Sequence, residues 1–271
     1  GNTLHIGADE VSQRLQVVAA YNDGGQIITD TVYVLVNPAP ARLDAEASAA
    51  IRNADISKIG LDKEAIEYST VEIDGVVFYV LAVDEDNDLA LIFAKYVLDH
   101  TARMTNSSNA QWNWSDSSCA RAHLNNTWLN DQPTLLQVAQ ETGIRYYTNR
   151  YGYDRPITLE SGSFTVFLPS YADVTGESAD PNASEGENEF TWGNEKIIPD
   201  SLRPTTKADG TTSGISDWWL RSASASENSS QNYAGMYCVS NMSYNAGVVD
   251  FDDPGNSAGL RPMMWVRISA E

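Results

Sequence analysis

Trp218-Trp219-Leu220-Arg221-Ser222 and, further along, Gly259-Leu260-Arg261-Pro262-Met263-Met264-Trp265-Val266-Arg267-Ile268 decide how the chain reads. Both stretches set an arginine among bulky apolar residues in strand-like sequence. Successive side chains of a strand point to opposite faces. At most one of Trp218 and Trp219 is therefore expected in the core, with the other half exposed. Trp219 is assigned the core and Trp218 the surface. A planar guanidinium can tie several carbonyls or carboxylates together, so Arg221 and Arg261 are expected to hold the fold.

Between these stretches the chain is dominated by Ser, Asn, Gly and Tyr, with short strands expected at 234–239 and 247–251. Turn-rich loops use such residues. Adaptable binding surfaces do too, because Tyr offers rigid amphipathic area while Ser and Asn offer flexible hydrogen bonds. For the segment as a whole the binding reading is favoured. Trp218, Tyr233, Tyr237, Asn241, Tyr244, Asn245, Asp250 and Asp252 are the candidate ligand-binding residues.

Upstream, residues 71–83 read as a strand, 84–88 as an acidic loop and 89–93 as the returning strand. Alternating oxygen ligands in Asp84-Glu85-Asp86-Asn87-Asp88 would suit calcium, but the central Gly and distal Glu of an EF-hand are absent. A solvated turn is the favoured reading. A helix is expected after Asp116 or Ser117, with Ala120, His123 or Leu124, and Trp128 on one face. A further helix over 134–142 should end at Gly143. Residues 164–169 read as a strand stopped by Pro169. Residues 173–189 read as an acidic surface loop.

Residues 1–37 read as β: a short strand at 4–6, then alternation over 15–21, the turn Asn22-Asp23-Gly24-Gly25, and a strand over 31–36. Asn37-Pro38-Ala39-Pro40 breaks the pattern. Residues 38–66 are expected to be a linker with a short helix over 41–55, and a second domain to span 67–271. The pattern Leu4-x-Ile6-x-x-Asp9-Glu10, Leu15-x-Val17-x-Ala19, Thr31-Val32-x-Val34-x-Val36 resembles the C-terminal half of a bacterial immunoglobulin-like repeat. The start at Gly1-Asn2-Thr3-Leu4, without a Met, reads as a piece of a longer protein.

Over 67–271, a stretch around Trp112 to Ser115, Arg121-x-x-Leu124-Asn125, Phe167-Leu168-Pro169-Ser170, and the two opening motifs follow in order. This order resembles an uncharacterised domain of exported proteins of gut Firmicutes. That domain is in turn similar to the C-type-lectin-like fold shared by formylglycine-generating enzymes and the variable proteins of diversity-generating retroelements. The resemblance implies an α+β fold of the formylglycine-generating-enzyme type, preceded by a partial immunoglobulin-like β segment. In the retroelement proteins the C-terminal segment is the diversified binding face. Formylglycine-generating enzymes need two cysteines near the C-terminus; Cys238 stands there alone.

The expected function is therefore a non-catalytic binding or adhesion module on a bacterial surface, with an extracellular protein or glycan as ligand. Alternatives are a glycan-active enzyme using a carboxylate pair, and a structural spacer. With 37 Asp+Glu against 17 Lys+Arg, the net charge of −20 would repel nucleic acid and anionic lipid. No apolar run approaches the ~20 residues a membrane helix needs. No cofactor is expected and calcium is left open at the acidic loops. His5, His100 and His123 read as isolated, without a partner motif. Cys119 and Cys238 read either as a disulfide or as two buried thiols.

Overall fold

The acidic hairpin at 84–88 is held by residues from both ends of the unit it belongs to, Arg42 and Arg52 on one side and the Ile268 N–H on the other. A computed structural model describes residues 13–23, 26–36, 40–54, 70–105, 112, 115–149, 157–180, 196–211, 217–228, 233–240 and 247–269. The chain divides into two units, Gly1–Ala41 and Arg42–Glu271.

In the first unit, β1 (Gln13–Asp23) and β2 (Gln26–Val36) pair antiparallel in unbroken register from Gln13↔Val36 to Asp23↔Gln26. Both strands are longer than the alternation suggests, so the connection shrinks to two residues. The expected strand at 4–6 lies outside the described residues.

The second unit begins with α1 (Ala45–Arg52). Asp44 caps it by accepting from the Ala47 N–H at 2.8 Å. This helix is not a linker element. The Leu43 N–H donates to the Arg267 carbonyl, and the Ser269 N–H donates to the Ser48 hydroxyl. Arg42 and Arg52 both pair with Asp88, and Arg52 also pairs with Glu85. The acidic loop therefore serves as an anion clamp for α1, and the second unit begins earlier than residue 67.

The expected strand over 71–83 is two strands, β3 (Thr70–Ile73) and β4 (Val76–Asp84). Asp74 (φ 52°) and Gly75 (φ 77°) take left-handed conformations between them. That two-residue turn matches the twist of a hairpin. β5 (Leu89–Ala94) and β6 (Thr101–Ala102) follow. Next come α2 (Ala120–Ala122), a π-helical turn (His123–Trp128) and α3 (Pro133–Val138). α3 stops well short of Gly143. Ala139 turns to extended backbone and opens β7 (Ala139–Gln140), while Gly143 lies inside β8 (Thr142–Thr148). Pairing with other strands overrides the local helical pattern. β9 (Thr158–Phe164) ends where a strand was expected to begin. Of residues 164–169, Phe167 makes an isolated bridge to Met263. α4 (Tyr171–Thr175) then carries a capping box between Ser170 and Asp173.

The last third supplies β10 (Asp217–Asn228), β11 (Tyr233–Ser240), β12 (Val249–Asp252), β13 (Ala258–Gly259) and β14 (Met263–Arg267). Two five-stranded sheets result, ordered β3-β4-β5-β14-β7 and β12-β11-β10-β13-β6, beside a β8-β9 pair. The fold is mixed α+β. No helix among the described residues is long and apolar enough to cross a membrane.

The two arginines sit at the joints of this arrangement. Arg261, between β13 and β14, donates to the carbonyls of Ala94, Leu202 and Lys95 at 2.7–3.1 Å. Its guanidinium lies 4.1 Å from the Phe93 ring centroid and 4.8 Å from that of Trp218. Burial lowers its pKa to about 9, which leaves it charged at neutral pH. Arg221 donates to the carbonyls of Arg145 and Leu168 and to the Asp173 carboxylate. Asn125 joins the same scheme. Its side chain donates to the Val166 carbonyl and accepts from the Val166 N–H, copying a strand ladder. The side chains at these motif positions thus satisfy buried backbone groups that no regular element could reach.

Candidate functional site

The Asp74-Gly75 turn and the π-helical turn bring together residues far apart in sequence. Asp74 accepts from the N–H groups of Thr134 and Leu135, both at 2.9 Å, and so fixes the hairpin tip against the first turn of α3. A cavity of about 350 Å³ opens beside this junction. One wall is Gly75–Val77 of the hairpin. A second is the segment 96–100 that follows β5. The third is His123, Trp128 and Asp131.

The π turn explains why His123 and Trp128 share a cavity. In an α-helix, residues five apart are turned about 140° from one another. Here the Leu129 N–H bonds to the Leu124 carbonyl, five residues back, and this wider turn brings positions five apart onto one side. Such turns recur at functional sites.

His100 and His123 are not isolated. Their rings stack with centroids 3.8 Å apart and planes 20° apart. Burial, and then the neighbouring His100, pushes the His123 pKa down to about 4, with Asp131 acting in the opposite direction. His123 Nε2 is buried and has no hydrogen-bond partner among the described residues. His123 is thus held neutral at pH 7. Its folded pKa lies below the 6.5 of a free imidazole, so the unfolded chain takes up the proton first. The resulting stability is complete above pH 6.5 and is lost as the pH falls toward 4. An NMR titration should find His123 near pH 4, and His100→Ala should raise that value while leaving most of the depression. A His123 that titrates above pH 6 would refute the stacked, buried arrangement.

Stacked imidazoles present parallel planes, and their in-plane lone pairs do not converge on one ion. No group of three or more His, Cys, Asp or Glu residues that could hold a metal occurs among the described residues. Asp99 and Asp131 line the cavity and are exposed.

The residues singled out from sequence fall elsewhere. Trp218 is fully buried, against the half-exposed position expected of it, and its indole N–H donates to the Arg203 carbonyl at 3.2 Å. Trp219 is fully buried as well and donates to the Ala102 carbonyl at 2.8 Å. Burial runs without a break from Trp218 to Ser224, so both faces of β10 are covered over this stretch, as well as both its edges being paired. Trp218 therefore leaves the candidate binding set. Tyr237 is half-buried and its ring centroid lies 4.2 Å from that of Tyr171. Asp250 is exposed, while the Asp252 carboxylate accepts from the Asn256 side chain and the Asp253 N–H. Tyr233 lies on β11 with no described side chain, and Asn241, Tyr244 and Asn245 lie outside the described residues. Arg221, Arg261 and Trp219 occupy the structural positions described above. Cys119 and Cys238 are free and buried. Burial raises both thiol pKa values, and Asp217, Asp252 and Asp250 add to the effect at Cys238. Neither cysteine suits nucleophilic chemistry at neutral pH.

Asp173 does not belong to an exposed acidic loop. It is 1% exposed and pairs with Arg221 at 2.8 Å. The cavity escaped sequence reasoning because stacking across 23 residues leaves no local motif. The Asp-Gly dipeptide was a readable signal for its hairpin wall.

Residues 87–268 match the family described as Domain of unknown function (DUF6273). No curated protein and no solved structure matches the chain.

Proposed function

We propose that this chain, which belongs to the DUF6273 family, is a non-catalytic ligand-binding module displayed outside the cell, with a small ligand seated beside His100 and His123. The observation that carries this reading is the cavity itself. Its volume of about 350 Å³ falls within the range of small-ligand sites, and it combines apolar walls with a few polar groups. A stacked imidazole pair binds and positions; it is not aligned as a base on a nucleophile. The α+β unit is read as a C-type-lectin-like fold of the formylglycine-generating-enzyme type, and the β1–β2 unit as the end of an immunoglobulin-like stalk. The arginine and asparagine clamps at the motif positions support the former, and the long antiparallel pair supports the latter.

A second reading places a protein or glycan on the β11–β12 edge. The half-buried Tyr171–Tyr237 pair and the exposed Val248 and Asp250 favour it. One screen separates the two. A fragment and glycan library is added to labelled protein, and resonances of Trp128, His123 and Tyr237 are followed by NMR. Hits are expected to move Trp128 and His123, and Trp128→Ala to abolish them. Hits that move Tyr237 alone would transfer the site to the β11–β12 edge.

A further inference from the structure

Building on the cavity as a ligand site, we propose that its occupant is a small organic cation with its charge on an alkyl-clad nitrogen, a quaternary ammonium head of the choline type. The chemistry of the walls carries this. Among the described lining residues, the fixed charges are the carboxylates of Asp99 and Asp131, and neither lysine nor arginine is present. An anionic ligand would meet two like charges, and a cation would meet two opposite ones. His123, held neutral, adds no opposing positive charge.

The apolar and aromatic groups narrow the class. Val76, Val77, Val97 and Leu98 form an alkyl wall. Against that wall a primary ammonium would give up hydrogen bonds to water and regain only those the exposed carboxylates offer, whereas a trimethylated nitrogen has none to lose. Aromatic faces attract such a diffuse cation through the ring quadrupole. Tyr96 is already engaged, since Lys95 Nζ lies 5.4 Å from its ring centroid. Trp128 and the stacked imidazoles remain to meet a ligand. The net charge of −20 acts in the same direction by concentrating cations near the surface.

The test is isothermal titration of the whole chain with choline and with 3,3-dimethylbutan-1-ol, its uncharged carbon isostere. Choline is expected to bind at least about tenfold more tightly, because shape and apolar area are matched and only the charge differs. Asp131→Asn, an exposed and isosteric change, should weaken choline about threefold or more and leave the alcohol unchanged. Trp128→Ala should abolish both. Phosphocholine binding as tightly as choline supports the same chemistry with a polymer or lipid headgroup as its source; weaker phosphocholine binding supports a free, unphosphorylated quaternary ammonium.

Equal affinity for choline and the alcohol, with both lost in Trp128→Ala, would overturn the cation class and leave the binding-module reading standing. Absence of choline binding at about 10 mM would also overturn it. In that event the NMR screen still decides whether the cavity binds anything. Choline binding that Asp131→Asn and Trp128→Ala both leave intact would place the cation elsewhere and refute the proposal.

Discussion

Asp173→Ala is expected to destabilise the second unit by about 3–5 kcal/mol, the range for breaking a buried ion pair on one side. The Asp173 and Arg221 side chains are 1% and 0% exposed, and their contact is 2.8 Å. Removing the carboxylate leaves a guanidinium in the core with carbonyl partners alone. Arg221 Nη2 already lacks a hydrogen-bond partner among the described residues, so the group has no slack to re-pair. The same carboxylate also accepts from the Ser170 N–H at 2.8 Å, so that half of the α4 capping box is lost with it, while the backbone N–H of residue 173 keeps the Ser170 hydroxyl. Urea denaturation provides the measurement. The double variant Asp173→Leu with Arg221→Met should be less destabilised than the sum of its two singles, because no unpaired charge remains. It should not return to the parent value, since the capping bond and the carbonyls of Arg145 and Leu168 stay unmet. A loss under about 1 kcal/mol for Asp173→Ala would mean that the pair is solvated, contrary to its burial.

Arg261→Leu should produce a comparable loss, about 3–5 kcal/mol, by a different route. Arg261 has no carboxylate partner among its contacts; its fork satisfies the carbonyls of Ala94, Leu202 and Lys95. Leucine would take the guanidinium donors from all three; the Lys95 carbonyl would keep the Thr205 hydroxyl at 2.9 Å, while those of Ala94 and Leu202 would lose their side-chain donor, at about 1–3 kcal/mol each before relaxation. It would also vacate the space between Phe93 and Trp218. Arg261→Lys should recover only part of the loss, because one ammonium cannot reach three carbonyls in a fixed fork. Denaturation midpoints of the two variants, read with tryptophan fluorescence, check the order. Equal stability of Arg261→Lys and the parent would show that charge rather than geometry matters at this joint.

Much of the fold is legible along the chain. The return of β5 after the acidic loop, the short helix near residue 45 and the closing strand β14 follow from period and turn chemistry. The structural roles of Arg221 and Arg261 follow from what a buried guanidinium must do. Other features were overridden by partners distant in sequence. Residues 139–142 carry a helical pattern, yet Ala139 and Gln140 pair with Val266 and Trp265. Asp173 looks like one more acid in an acidic run until Arg221 reaches it from β10. Trp218 alternates with Trp219 as any strand residue would, but β10 is buried on both faces over residues 218–224.

The candidate site was the least legible. Trp128 was read as one face of an α-helix, and His100 and His123 as unrelated residues. The π turn moves Trp128 and His123 to one wall, and the chain after β5 brings His100 against His123. By itself, the sequence determined the mixed α+β class, the clamp residues and the repulsion of anions. These depend on local period, on side-chain chemistry and on summed charge, all of which are properties of the chain in order. Only the tertiary structure decided that Trp218 and Trp219 are both buried, which acid is buried and where a ligand can sit. Those outcomes depend on packing between segments far apart in sequence, where no spacing rule operates.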